Sequence, residues 1–136
     1  MPDESAALTR SGAGRVLVAV YAVFALAASA RAAVQIASRF DEAPLAYLLS
    51  AFSAVVYVVA TAALAAGGRI ARRVAYTACG IELVGVLVIG TFSLLDPGAF
   101  PDETVWSTYG RGYLFIPLVL PIVGLLWLRR TAARPE

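Results

Sequence analysis

Four apolar runs, each near the length needed to cross a lipid bilayer, leave this chain few alternatives to a membrane fold. They occupy residues 16–37, 44–66, 74–95 and 113–128. At 1.5 Å of rise per helical residue, the first three can cross a hydrocarbon core of about 30 Å. The fourth reaches only roughly 24 Å and is short unless it recruits Gly110–Gly112. The boundaries carry their own signals. Asp41, Glu42 and Pro44 open the second run, because acids and proline suit a first helical turn. Gly67-Gly68 closes it, Asp96-Pro97-Gly98 ends the third run, and Arg129-Arg130 ends the fourth. Hydrophobic residues fill 60% of the 136 positions, above the share of a soluble domain. The expected fold is all-α: a polytopic four-helix transmembrane bundle over residues 15–130, with flexible tails at 1–14 and 131–136.

The arginines orient this bundle. Arg10, Arg15, Arg69, Arg72, Arg73, Arg129, Arg130 and Arg134 flank one side. The other side holds Arg31, Arg39 and Arg111 together with Asp41, Glu42, Asp96, Asp102 and Glu103. The positive-inside rule then places both termini in the cytoplasm of a multi-pass cell-membrane protein. All eleven cations are arginine, which a GC-rich genome explains more simply than a special role. These arginines flank apolar runs and lack an interleaved aromatic platform, so the expected partner is the lipid bilayer and not a nucleic acid. One competing reading remains open. Arg15, the apolar stretch after it and Ala28-Ser29-Ala30 also resemble a cleavable signal peptide, although the run continues past that site to Ala37.

The third connection, "DPGAFPDETVWSTYGRG", is the longest. Pro101-Asp102-Glu103 suggests the start of a one- to two-turn interfacial helix on the outer surface. Trp106 and Tyr109, with Trp127 in the fourth run, suit the headgroup layer as anchors.

Two ionisable residues fall inside the runs. Intramembrane charge costs on the order of 2.5–3.5 kcal/mol at a helix centre, so such groups face protein or water. Arg31 lies about 24 Å beyond Arg15, close to the outer interface, where it can snorkel to headgroups or pair with Asp41 or Glu42. Arg31, Gln35 and Arg39 form an i, i+4, i+8 row. That row either anchors the first outer turn or faces the third-connection helix or a partner. Glu82 is only about 12 Å from Val74, too deep for its short stem to snorkel. A direct Arg31–Glu82 salt bridge would have to bridge roughly 10 Å of depth. Tyr21, Tyr57 or water are the expected partners of Glu82. It serves either as a neutral carboxyl donating between helices or as a site handling protons, cations or a ligand headgroup. Its neighbours on the same face, Ala75, Ala78, Gly85 and Ser93, are small enough for close packing. Similar rows occur at Ala25, Ser29, Ala33 and Ala37, and at Ala46, Ser50 and Ala54. Pro117 and Pro121 predict a kink in the fourth span, either a packing bend or a hinge.

The words "ARAAVQIASRFDEAPLAYLLSAFSAVVYVVATAAL", "IELVGVLVIGTFSLLDP" and "FPDETVWSTYGRGYLFIPLVLPIVGLLWLRR" resemble the small four-span integral membrane proteins of high-GC Gram-positive bacteria. The resemblance covers most of the chain from Val16 to Arg130. It implies the four-helix membrane architecture and carries no catalytic motif. The residues themselves add further exclusions. With no histidine, His-based metal sites and His general bases are out, and the lone Cys79 rules out an intrachain disulfide or a Cys-x-x-Cys pair. No metal, cofactor or catalytic residue is expected. The leading expectation is a non-enzymatic accessory, scaffold or interaction subunit that meets another membrane protein or its own copies. The alternatives are a small oligomeric transporter or channel using Glu82 and, more weakly, an intramembrane enzyme acting on a lipid or quinone.

Overall fold

A computed structural model of the chain describes residues 12–100 and 104–132, without the side chains of Arg39 and Ala132. The tails at 1–11 and 133–136, the expected helix start at Pro101-Asp102-Glu103 and the Arg39 end of the arginine row lie outside the described residues. The chain forms α1 (Gly12–Arg39), α2 (Pro44–Ala66), α3 (Arg69–Leu95) and α4 (Ile116–Ala132). Short 3-10 segments follow α1 at Phe40–Glu42 and α3 at Pro97–Ala99, and a third precedes α4 at Ser107–Tyr113. There is no strand among the described residues. Successive helices pack on one another, α1 on α2, α2 on α3 and α3 on α4. The Arg72 guanidinium donates to the Leu128 carbonyl and ties the start of α3 to the end of α4.

α1, α2 and α3 are each long and apolar enough to cross a membrane. The second span has the bounds the sequence predicts, 44–66. The first helix begins earlier, at Gly12, and so takes in the last residues of the expected tail. α3 also begins earlier, at Arg69, because long arginine stems can wind into a helix while their heads stay in water. The small row Ala46, Ser50 and Ala54 on α2 is buried as expected. On α1 the buried face instead runs through Tyr21, Phe24, Ala25, Ala28 and Ala32, and Ala33 and Ala37 point outward. The large aromatic residues set the rotation of that helix, since they bury the most apolar area.

The fourth span departs most from expectation. Residues 113–115 are not part of the helix; α4 starts at Ile116, and the Ser107–Tyr113 segment meets it at 99°. Pro117 therefore sits in the first turn of α4, where its missing N–H costs no ladder bond, and only Pro121 is interior. The chain reverses at Leu114 and Phe115, both in the left-handed region, and not at a proline hinge. Non-helical backbone beside lipid is tolerated only when its polar groups are satisfied locally. Here Leu114 N–H donates to the Arg111 carbonyl and Phe115 N–H to the Gly110 carbonyl. Thr104 Oγ1 accepts from the N–H groups of Trp106 and Ser107, Ser107 Oγ accepts from Thr104 N–H, and Ser93 Oγ of α3 accepts from Thr108 N–H.

This connection is drawn into the bundle. Its helical turns are short and interrupted, with Thr108, Tyr109 and Gly110 in the left-handed region, and Trp106 is 2% exposed and is no headgroup anchor. The indole lies against Gly85, about 15 Å along α3 from its Leu95 end. A Cβ at Gly85 would sit 2.6 Å from the indole, and one at Gly90 would collide with the Tyr109 ring. The two glycines are thus seats for two aromatic rings. Gly85→Val is expected to lower the stability of the solubilised protein by about 1–3 kcal/mol and to shift tryptophan emission to longer wavelength. Gly80→Ala, which meets open space, should cause no loss. Thermal unfolding in detergent measures both.

Candidate functional site

Glu82 is fully buried, and its surroundings come from three helices and one connection. α3 is close to straight in register here: Ala75, Ala78, Cys79, Glu82, Val86 and Gly90 recur at helical spacing and turn one face inward. That face puts the Cys79 thiol one turn from the carboxyl. α1 brings Tyr21 opposite them. The Tyr21 hydroxyl lies 3.2 Å from Glu82 Oε2, 3.3 Å from Cys79 Sγ and 3.5 Å from the Leu120 carbonyl of α4. The phenol can donate to Glu82 Oε2 or to the Leu120 carbonyl, and between it and the Cys79 thiol either group can donate, so the three contacts converge on Tyr21. Gly124 of α4 allows this approach. A Cβ there would stand 2.9 Å from Cys79 Sγ and 3.1 Å from the Tyr21 hydroxyl.

The second carboxyl oxygen, Glu82 Oε1, is buried with no hydrogen-bond partner among the described residues, and so is Ser50 Oγ. Tyr57, the other partner expected for Glu82, accepts from Trp106 Nε1 at 3.1 Å instead. The connection therefore plugs the bundle core directly above the site. From there an aromatic series runs toward Arg31. Tyr21 and Tyr57 ring centroids are 6.4 Å apart, Tyr57 and Phe24 5.1 Å, and Phe24 and Tyr113 5.2 Å, the last two edge to face. The Arg31 guanidinium lies 5.5 Å over the Tyr113 ring, and its Nη1 donates to the Tyr113 hydroxyl at 2.9 Å. Arg31 and Glu82 thus occupy different environments, linked by this series of rings.

The sequence-predicted residues separate accordingly. Arg31 faces the third-connection segment, one of the roles anticipated for its row, through Tyr113. Gln35 is buried at 2% exposure beside it. Pro117 and Pro121 are fully buried in the packing of α4 against α3 and the Ser107–Tyr113 turn. Tyr109 is half-buried, its hydroxyl 2.8 Å from Thr91 Oγ1. Trp127 is half-buried in the last turns of α4, one turn from Arg130. The inward Trp106, the Tyr113 partner and the Gly124 seat were not anticipated. The glycines at 85, 90 and 124 were the available signal, because glycine inside an apolar helix weakens it unless something large approaches.

Apolar grooves run along the outside of the bundle between α1 and α2, α2 and α3, and α1 and the α4 end of the chain, and Glu82 lines none of these. Among the described residues no cluster of metal-ligating side chains exists. Fold and site together define a multi-pass α-helical membrane protein in which the buried Glu82 of α3 is held by its own neighbours. No protein-family model, curated protein or solved structure matches the chain, so the chemistry of the site rests on its geometry.

The Tyr21–Glu82 contact should be measurable as a coupling. Tyr21→Phe and Glu82→Met each lower stability, and the double variant loses less than their sum by about 0.6 kcal/mol, with an upper end near 1.7. Chemical or thermal unfolding of all four proteins in one detergent measures it. Strict additivity would mean the hydroxyl and the carboxyl do not support one another.

Proposed function

We propose that this chain is a non-enzymatic accessory or interaction subunit of the cell membrane, working through the outside of its helical bundle. The observation that carries this is the fate of Glu82. Glu82, the only acid in the four long helices among the described residues, meets Tyr21 of α1, which also touches Leu120 of α4, and it lines none of the grooves described above. A residue used this way stabilises the bundle. The large exposed apolar side chains along every helix then provide the surface for lipid and for a partner helix.

The arginine distribution supports an orientation with both termini cytoplasmic. The same clamp supports retention of the whole first span. Cleavage after Ala30 would remove Tyr21, Phe24 and Ala28 from the core and leave Glu82 without its donor. The four-helix architecture is also what membership among the small four-span proteins of high-GC Gram-positive bacteria would entail.

Purification from native membranes in mild detergent, with mass spectrometry of the intact protein and of whatever accompanies it, tests these points. The expected result is the uncleaved mass and a stoichiometric membrane-protein partner or homo-oligomer. A lone monomer with the mass of a chain lacking its first 30 residues would overturn them.

A second reading, a small proton- or cation-coupled transporter, has two observations in its favour. Glu82 Oε1 has no partner among the described residues, and the fourth span is broken ahead of the Leu120 carbonyl that meets Tyr21, as in transporters whose sites form at discontinuous helices. On this reading Glu82→Gln abolishes ion-driven flux in liposomes while thermal unfolding stays unchanged. On the accessory reading the liposomes show no flux in either form.

A further inference from the structure

We propose that the trough between α2 and α3 is a seat for one anionic phospholipid, with an acyl chain lying along it and the phosphate held at Arg73. This goes beyond the accessory reading and does not depend on it. Two grooves, of about 340 and 560 Å³, lie end to end along the α2–α3 seam and share Thr77 and Ile81. Together they form one trough. Arg73 lines one end, Val88 and Trp106 the other, and Arg73 to Val88 spans about 22 Å of helix. The walls between them are apolar, and Arg73 supplies the only charge.

Three observations select an anionic lipid as the occupant. The first is the division of labour between adjacent arginines. Arg72 is committed to the Leu128 carbonyl, whereas the exposed Arg73 guanidinium makes no ion pair or hydrogen bond among the described residues. A guanidinium at the mouth of an apolar trough complements a phosphate whose chain enters that trough. The second is Gly80 on the trough floor. Glycine in the middle of a helix costs about 1 kcal/mol relative to alanine. Gly85, Gly90 and Gly124 each answer a close neighbour, but a Cβ at Gly80 would meet nothing within 4 Å. Its smallness serves the trough and not the packing of the protein. The third is the character of the walls. Val55, Val59, Val74, Val84 and Val88 stand as exposed or groove-lining β-branched ridges. Close helix–helix contact favours small residues at the interface, and a flexible acyl chain accommodates such ridges more readily than a second helix does.

The test uses the full chain reconstituted in vesicles of equal parts phosphatidylglycerol and phosphatidylcholine, extracted in mild detergent and examined by native mass spectrometry. Wild type is expected to retain one phosphatidylglycerol in preference to phosphatidylcholine. Arg73→Gln should lower that preference about fivefold, the effect of one arginine at a membrane surface, while Arg130→Gln at the same end of the bundle should not. Gly80→Leu, which fills the floor, should lose the bound lipid with no decrease in thermal stability. Lipid retention that is the same in wild type, Arg73→Gln and Gly80→Leu would overturn the proposal. So would a wild-type dimer that Gly80→Leu dissociates, because the trough would then hold a second copy of the chain.

Discussion

A hydrocarbon interior offers no hydrogen bonds, so every polar group carried into it must find its match within the protein. Glu82 is the severest instance in this chain, and much of the tertiary arrangement can be understood as its consequence. Its carboxyl needs a donor at its own depth, and Tyr21 of α1 supplies one. The phenol in turn touches Cys79 and the Leu120 carbonyl, which brings α4 against the same point. Gly124 lets α4 approach that closely. One acid thereby positions three helices relative to one another. Exposed surface pairs contribute little to stability, but at this depth a lost partner leaves a buried polar group unmatched, which is far more costly.

The same constraint governs the interrupted fourth span. An unbroken helix satisfies its backbone automatically, whereas a reversal inside the bundle must satisfy it piecemeal. The chain does so with hydroxyls and short local bonds. Thr104 and Ser107 cap each other, Ser93 receives Thr108, and the left-handed pair Leu114–Phe115 closes back on Arg111 and Gly110. In return the connection carries Trp106 into the core, where its indole nitrogen meets Tyr57 and its ring fills the space above Gly85. The aromatic series from Tyr21 to Tyr113 then links the buried acid to the cation at Arg31. Core and connection are a single packed unit, not a bundle with a loop laid across it.

The outside of the molecule follows a different logic. Its helices present valine, leucine and phenylalanine to lipid, and the grooves between them are apolar. Specificity on such a surface has to come from charge at the ends and from shape along the seams. Both features coincide on the α2–α3 seam, at Arg73 and Gly80.

How much of this was legible beforehand differs sharply between elements. The presence of the long apolar spans, the Pro44 start, the Gly67-Gly68 stop and the opposed distribution of acids and arginines were readable, because the thickness of a bilayer and the cost of burying charge act on each segment separately. The sequence by itself therefore determined an all-helical membrane architecture and marked Glu82 as the acid needing a partner. Tyr21 and Tyr57 could be named as candidates from depth alone, but not chosen between, since that choice depends on helix rotation. Only the tertiary structure decided that Trp106 turns inward, that Tyr113 leaves the fourth helix to meet Arg31, and that Gly85, Gly90 and Gly124 are contact seats while Gly80 is not. Each of those outcomes depends on which surface lies opposite, and the hydropathy of a single segment contains no information about its neighbours.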